Sequence, residues 1–572
     1  VLVVLSTSLT AQSRAPMIES ITQADLRADL FFLAGDAMRG RLTDTNENRV
    51  TIDYIRSRFE RAGLKPAAGD SLFHTYNLMR ATLGEGNSLS FATSGTTTGE
   101  VTGTREFKSG QEFYPQRFSA SGTATAGVVF AGFGIVAPRW NHDDYRDGVR
   151  GRIVMVLDHE PGERDPNSPF EGVVTAEPAA AWRKALAAQE KGAIGILFVS
   201  DIQNHPDPAN FEQAARNFWP ATPARIPGYT LAAWADRIRI PAVQISPALA
   251  SMLTASDGPN FAELAKRSET PGGITPVPMG RTVTLRTAVD RHIVPDRNVL
   301  GLLEGSDPKL KDEWVLITAH FDHDGVNGAQ ILNGADDNGS GTVALMEIAD
   351  AYALAAQQGQ RPRRSVLFCA WNSEERGLLG AWAYTEHPPA PLASIAGVLN
   401  MDMIGRNEEV QVGGGNRFNG LEVQTAESNA NAVNMMGYAR APELAAVVDA
   451  ANAGIGLDIK KRYDNNTSNL VRRSDQWPFL QRGVPALGFM TGLHPDYHTT
   501  YDRPEKINYA KMEKIARLIY QASWNLANTT ARPKAGVPTA RILRPGVADP
   551  YDFGRLIGGT IPLTRYAVTS LP

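Results

Sequence analysis

One cysteine in 572 residues, Cys369, excludes a disulfide framework. It sits in the apolar run Ser365-Val-Leu-Phe-Cys-Ala370, where a lone thiol reads as a small buried hydrophobe. A basic excess is also missing: the net charge is -4, so nothing marks a nucleic-acid partner. No apolar run is long enough to span a bilayer. Internal repeats and heptads are absent, which excludes a solenoid and a coiled coil. Nothing in the chain specifies an oligomeric state. What remains, 42% hydrophobic and 21% charged, is the composition of a soluble globular protein. The length exceeds one ordinary core, so two or three domains are expected.

The first residues carry their own signal. Val1-Leu-Val-Val-Leu5 runs into small and polar residues, with a small-x-small pattern at Ala11-Gln-Ser13. That reads as the back half of a secretory signal peptide over residues 1–15, and predicts a periplasmic or secreted protein.

Helical spacing is expected at Ala24 to Leu33 and at Val50 to Ala62, where Gly63 stops it. Between 115 and 260 the texture changes. Strand-like runs at Gly127–Val136, Arg152–Leu157, Gly195–Val199 and Ile240–Ile245 surround a helix at Trp182–Lys191. This rhythm, without clustered ligand-type residues, predicts a small separate domain inserted into a larger one. From Arg297 the chain alternates α and β: strands at 298–303, 314–318, 365–370, 397–400 and 486–489, and a helix at Gly341–Ala356. The predicted organisation is 16–114 and 261–530 as the two parts of the larger domain, 115–260 as the insert, and 531–572 as a Pro- and Gly-containing tail.

Five short segments carry the chemistry: His320-Phe-Asp322, Asp336-Asp337, Glu374-Glu375, Asp402 and His498. Nearly every one follows a strand-like run, so side chains from several strand ends can converge at one sheet edge. Imidazoles and carboxylates without thiolate form a nitrogen/oxygen ligand set that suits zinc, with manganese or cobalt as poorer fits. Hydrolysis of a peptide bond needs an activated water, a Lewis acid and a proton carrier, and two ions sharing a carboxylate supply the first two. Asp336, in the glycine-rich turn Asn333–Gly341, is the expected bridge. Of Glu374 and Glu375, one can hold a metal while the other stays free as a base. Asp402 is a charge at an apolar strand end, where an unpaired carboxylate is costly. Asp322 is placed to orient His320. Singly, a turn with an N-cap explains 336–337, and exposed acids opening a helix explain 374–375.

In set and order these segments closely resemble the co-catalytic zinc aminopeptidase family, typified by bacterial leucyl aminopeptidase and including glutamate carboxypeptidase and the transferrin receptor. The match lies in Ala319–Gly325, Gly334–Gly341, Asn372–Gly380, Asn400–Met403 and Asp496–Thr499, within about 297 to 525. The resemblance implies an α/β zinc-exopeptidase fold, a mostly parallel sheet with helices on both faces. It implies two Zn2+ per chain, one on His320 and Asp402, the other on Glu375 and His498, with Asp336 shared. Glu374 would be the general base, Tyr497 a hydrogen-bond donor to the oxyanion, and Asp337 a supporting residue that binds no metal. The insert resembles a protease-associated domain, with His142, His159 and His205 as surface or structural residues. His323 and His494 are not expected among the ligands. Gln476 stands where relatives often have histidine, which points to altered substrate contacts. The implied activity is release of N-terminal residues from a peptide substrate; a carboxypeptidase and a receptor-like binding module are the alternatives.

Overall fold

The computed structural model describes residues 14–94, 101–207, 209–254, 258–540 and 566–570. The expected signal-peptide remnant lies almost wholly outside the described residues. The first core grows from largely apolar runs that are buried on every residue. Val315, Ile317 and Ala319 of the strand Trp314–His320 point into one core, and Trp314 and Leu316 into another. Burial on both faces is the signature of a parallel strand covered by helices on both sides.

This strand lies in a nine-stranded sheet. Its order is Tyr229–Leu231, Phe73–Leu83, Val289–Leu303, Ser365–Trp371, Trp314–His320, Ile395–Met401, Ala486–Met490, Ala432–Met436 and Asp458–Lys460. The four central strands, from Ser365–Trp371 to Ala486–Met490, are parallel. The strands that flank them on either side join antiparallel, so the sheet is parallel at its centre and mixed at its margins. One face is covered by helices Gln23–Leu33, Asn46–Arg61, Gly341–Gln357 and Tyr509–Asn528, and the other by Leu379–Glu386 and Gln476–Gln481. Local chemistry sets the helix starts. The hydroxyls of Thr22 and Thr45 accept from the backbone N–H of Asp25 and Asn48, and the Asn508 amide oxygen from that of Lys511. The Thr45 cap starts the second helix four residues before the apolar spacing that announced it.

A second, eight-stranded sheet takes its strands from Ser88–Ser94 to Val277–Thr287, wider at both ends than the expected 115–260. At its middle, Gly122–Phe130, Ile153–Leu157, Gly195–Val199 and Ala242–Ile245 run parallel in that order. The expected strand over 127–136 ends at Phe130, because Gly132 and Gly134 take positive φ and turn the chain. The segment does not stand apart. Its strand Tyr229–Leu231 pairs with the edge of the larger sheet, and Trp234 is buried in that sheet's core. In the tail, Gly536–Ala540 pairs antiparallel with Tyr566–Ser570.

Candidate active site

The larger sheet delivers its polar residues at the carboxyl ends of the central strands. His320 closes the strand Trp314–His320. Glu374 and Glu375 follow Ser365–Trp371, Asp402 follows Ile395–Met401, and His494, Tyr497 and His498 follow Ala486–Met490. Asp336 and Asp337 enter from the glycine-rich turn before helix Gly341–Gln357.

These side chains form two adjoining groups, His320/Glu374/Asp402 and His323/Asp337/Glu375/His498, each with its ligand-type atoms within 4.8 Å of one another. His320 Nε2 is 3.3 Å from Asp402 Oδ1, 3.4 Å from Asp337 Oδ1 and 3.7 Å from Glu374 Oε2. His498 Nε2 is 2.9 Å from Asp337 Oδ2 and 3.3 Å from Glu375 Oε1. Asp337 therefore faces both groups, one oxygen to each. Asp336, the expected bridge, faces away: its Oδ1 accepts from Gly405 N–H at 2.6 Å and its Oδ2 lies 3.2 Å from His494 Nε2. Consecutive residues in non-helical backbone send their side chains to opposite sides, so one of the pair turns in and the other turns out.

Three other positions differ from expectation. His323 joins the second group, its Nδ1 2.8 Å from Glu375 Oε1. Asp322 engages the glutamates more closely than His320. Its carboxylate accepts from the backbone N–H of Glu374 at 2.9 Å and of Glu375 at 3.3 Å, whereas His320 Nδ1 is 3.8 Å from it. Gln476 is buried in the core, donating to the Val471 carbonyl and accepting from Asn400, so it takes no place in the cavity wall.

Electrostatics separate the two glutamates. Burial pushes the Glu374 carboxyl well above the usual range; His320 opposes this, and the Asp402 and Asp475 carboxylates add to it. Burial acts on Glu375 too, but His498 and His323 hold it below the usual range. Against the same penalty, Asp337 is held well below by hydrogen bonds from His320 and His498. Burial raises Asp322 to about 6.

Sequence reasoning missed the supports. His498 Nδ1 is 3.1 Å from Asp324 Oδ2, whose other oxygen accepts from Arg376 Nη2 at 2.5 Å. Arg41, fully buried, donates through Nε to the Phe321 carbonyl and through its Nη atoms to those of Leu33, Asn333 and Gly334, at 2.7–2.8 Å. One guanidinium thus ties the His320 loop and the Asp337 turn to the N-terminal helix. Burial lowers its pKa to about 10, and the site carboxylates keep it charged. The neighbouring Gly40 has φ 69°, and a Cβ there would lie 2.2 Å from the Leu332 carbonyl oxygen. No local signal in Arg39-Gly-Arg41 announces contacts made nearly 300 residues away.

Above the carboxylates opens a cavity of about 480 Å³. Trp182, Trp234, Trp382, Trp477, Met403 and Met436 give it apolar walls, and Asp337, Glu374, Glu375 and Asp402 lie on its floor. Tyr497 stands at one side, its hydroxyl oxygen accepting from Arg473 Nη2 at 2.9 Å.

Residues 298–523 match the model of Peptidase family M28. The chain is 26% identical over 417 residues to the probable glutamate carboxypeptidase AMP1 of Arabidopsis thaliana, covering 67% of this chain and 51% of that protein. It is 25% identical over 533 residues to the probable glutamate carboxypeptidase VP8 of Zea mays, covering 88% and 64%. It is 24% identical over 245 residues to the aminopeptidase YwaD of Bacillus subtilis, covering 42% and 46%. The chain thus spans roughly half to under two thirds of the length of these relatives. Among solved structures, an aminopeptidase from Aneurinibacillus sp. strain AM-1 aligns with TM-score 0.45 and 16% identity, over 92% of this chain and 97% of that one.

Proposed function

We propose that this protein, whose residues 298–523 match the model of Peptidase family M28, is a zinc-dependent exopeptidase that removes N-terminal residues from peptides. The observation that carries the reading is the pair of imidazole–carboxylate groups on the floor of an apolar cavity. Four buried carboxylates around three imidazoles are costly to hold together without added cations, and nitrogen and carboxylate oxygen donors fit zinc. The proposal takes two ions per chain, with Mn2+ or Co2+ as substitutes. His320 and Asp402 would hold one, Glu375 and His498 the other, and Asp337 would be shared; His323 stands beside the second set. When bound, the ions would polarise the scissile carbonyl and acidify the attacking water.

The chain's own residues do the rest. Glu374, raised by burial, takes the proton from water and returns it to the leaving amine. Asp322 fixes the backbone of both glutamates, so the base and its neighbour keep their directions. Arg473 donates to the Tyr497 oxygen, which leaves the phenolic hydrogen free to point at the oxyanion that develops on the substrate. The tryptophan-lined wall suits a large apolar side chain at the cleaved residue. The second sheet, read as a protease-associated domain, would shape access. Export is also part of the proposal; its support is the apolar and small-residue pattern of the first residues alone.

A second reading, carboxypeptidase, has one observation in its favour: Arg473 stands exposed in the cavity lining, where a guanidinium can pair with a substrate carboxylate. A panel of peptides separates the two. Free-amine substrates with blocked C-termini should be cleaved, and N-acetylated peptides with free C-termini should not; the reverse pattern makes the enzyme a carboxypeptidase.

A further inference from the structure

Within the smaller sheet, the strands Ile153–Leu157 and Gly195–Val199 lie side by side and parallel. Their carboxyl ends release two loops at the same edge, the position at which open α/β sheets bind ligands. The first loop carries His159 and Glu163, and the second carries His205.

These three side chains converge. His159 Nδ1 is 3.0 Å from Glu163 Oε2, and His205 Nε2 is 2.5 Å from Glu163 Oε1. The imidazole rings lie 4.4 Å apart, and the ligand-type atoms of all three residues fall within 4.8 Å of one another. His205 Nε2 is itself buried and makes no aligned hydrogen bond despite its closeness to the carboxylate.

The loops are held in register by groups behind the trio. Glu269 accepts from Gly162 N–H at 2.7 Å on one loop and from Asn204 Nδ2 at 2.6 Å on the other. Asn204 Nδ2 also donates to Asp201 Oδ2 at 2.7 Å. The nearby Lys184 is turned to the backbone, donating to the Leu157 and His159 carbonyls and leaving the three side chains alone. Two imidazoles and one carboxylate, fixed by a supporting network, are a three-ligand site for a borderline divalent ion. The histidine side chains are 45% and 40% exposed, so a fourth position faces water.

We propose that His159, Glu163 and His205 bind one zinc-class divalent ion, separate from the peptidase centre, which staples two loops of the smaller sheet. Imidazole donors favour Zn2+ and also admit Ni2+ and Cu2+, while Mg2+ and Ca2+, which take oxygen donors, bind poorly. The ion has no part in peptide hydrolysis. Its effect is on the stability of the smaller sheet, since an ion that binds only the folded loops shifts unfolding upward.

The test uses the full chain, loaded with Zn2+ and passed through a desalting column. Metal is counted by mass spectrometry in the wild type, in the His159→Ala/His205→Ala double variant and in Glu163→Gln, and melting is followed with and without added Zn2+. The double variant should hold one zinc fewer per chain, lose the Zn2+-dependent rise in Tm, and keep the wild-type kcat on the same peptide. Glu163→Gln, which preserves size but exchanges one carboxylate oxygen for an amide N–H donor, should show the same loss of zinc more weakly. Equal zinc in all three proteins overturns the proposal. So does a loss of kcat along with the missing ion, because the ion would then belong to the peptidase centre. If every protein, wild type included, lacks peptidase activity, the functional reading fails while the zinc difference still decides this one.

Discussion

Asp336 and Asp337 are chemically the same, and only the turn between them separates their surroundings. Asp337 presents one oxygen to His320 and the other to His498, whereas Asp336 is spent on Gly405 N–H and His494. Asp337→Asn should therefore cut the bound zinc and lower kcat by more than about 100-fold, beyond the 10–100-fold that outer-shell changes cost. Asp336→Asn keeps an acceptor for Gly405 and should stay within about tenfold of wild type in activity and hold its full zinc. Metal content and kcat on both variants check this, and equal losses in the two would contradict the assignment. The pair also marks the limit of what the sequence discloses at this scale. His320 closes an apolar strand and Asp402 lies one residue past another, so a strand end places them; Glu374, Glu375 and His498 lie three to eight residues past theirs, and their motif segments made them candidates. Which of two adjacent aspartates turns inward depends on two backbone angles within one turn, and residue type does not encode them. His323 lies three residues past a strand end, as Glu374 does, and the loop path that turns it toward Glu375 is likewise not encoded in residue type.

Elements meet through one cation on the helical face of the larger sheet. Arg58 of helix Asn46–Arg61 donates at 2.8 Å to Glu347 and to Asp350 of helix Gly341–Gln357, and also pairs with Asp29 of helix Gln23–Leu33. Three carboxylates converge on this guanidinium, Arg61 adding a second partner to Asp350 alone at 2.6 Å, and burial lifts Glu347 from 4.5 to about 7 despite Arg58. A folded-state pKa above the unfolded one means this group's stabilisation is complete below pH 4.5 and is lost as pH rises through about 7. A shift of that size corresponds to roughly 3–4 kcal/mol. Urea unfolding at pH 5 and pH 8 should show wild type losing stability over that interval and Glu347→Gln losing clearly less. Parallel slopes would mean that Glu347 titrates normally in the folded protein. The central strands were readable as elements because burial on both faces gives unbroken apolar runs. The contacts that lock them were not: Arg58 and Arg41 find partners nearly 300 residues away, and ordinary helical or loop sequence surrounds both.

Across the whole molecule, the smaller sheet's segment does not merely sit beside the larger one; it builds part of the cavity. Trp182, from the helix Ala181–Glu190, stacks on Trp234 at 4.4 Å with 14° between the ring planes. Trp234 meets Trp382 of the larger sheet's helix Leu379–Glu386 edge-on at 5.8 Å, and all three rings line the cavity. Arg183 holds the junction from the next position, paired with Glu177 and 3.5 Å from Glu386. None of these rings touches the floor carboxylates' hydrogen-bonding network, so they contribute contact area and leave proton transfer to Glu374. Removing one should then weaken the ground state and the transition state alike, which raises KM and leaves kcat in place. A substrate side chain that buries roughly 20–60 Å² against the Trp182 ring gains about 0.5–1.5 kcal/mol at about 25 cal/mol per Å², so losing the ring corresponds to a rise of roughly 2- to 12-fold. Trp182→Ala should thus raise KM by about that factor for peptides with a large apolar residue at the cleaved position, with little change for alanine there. Steady-state kinetics on a matched leucine and alanine pair tests it. A fall in kcat with KM unchanged would instead make the smaller sheet a part of the chemical step, and the division of labour between the two sheets would not hold.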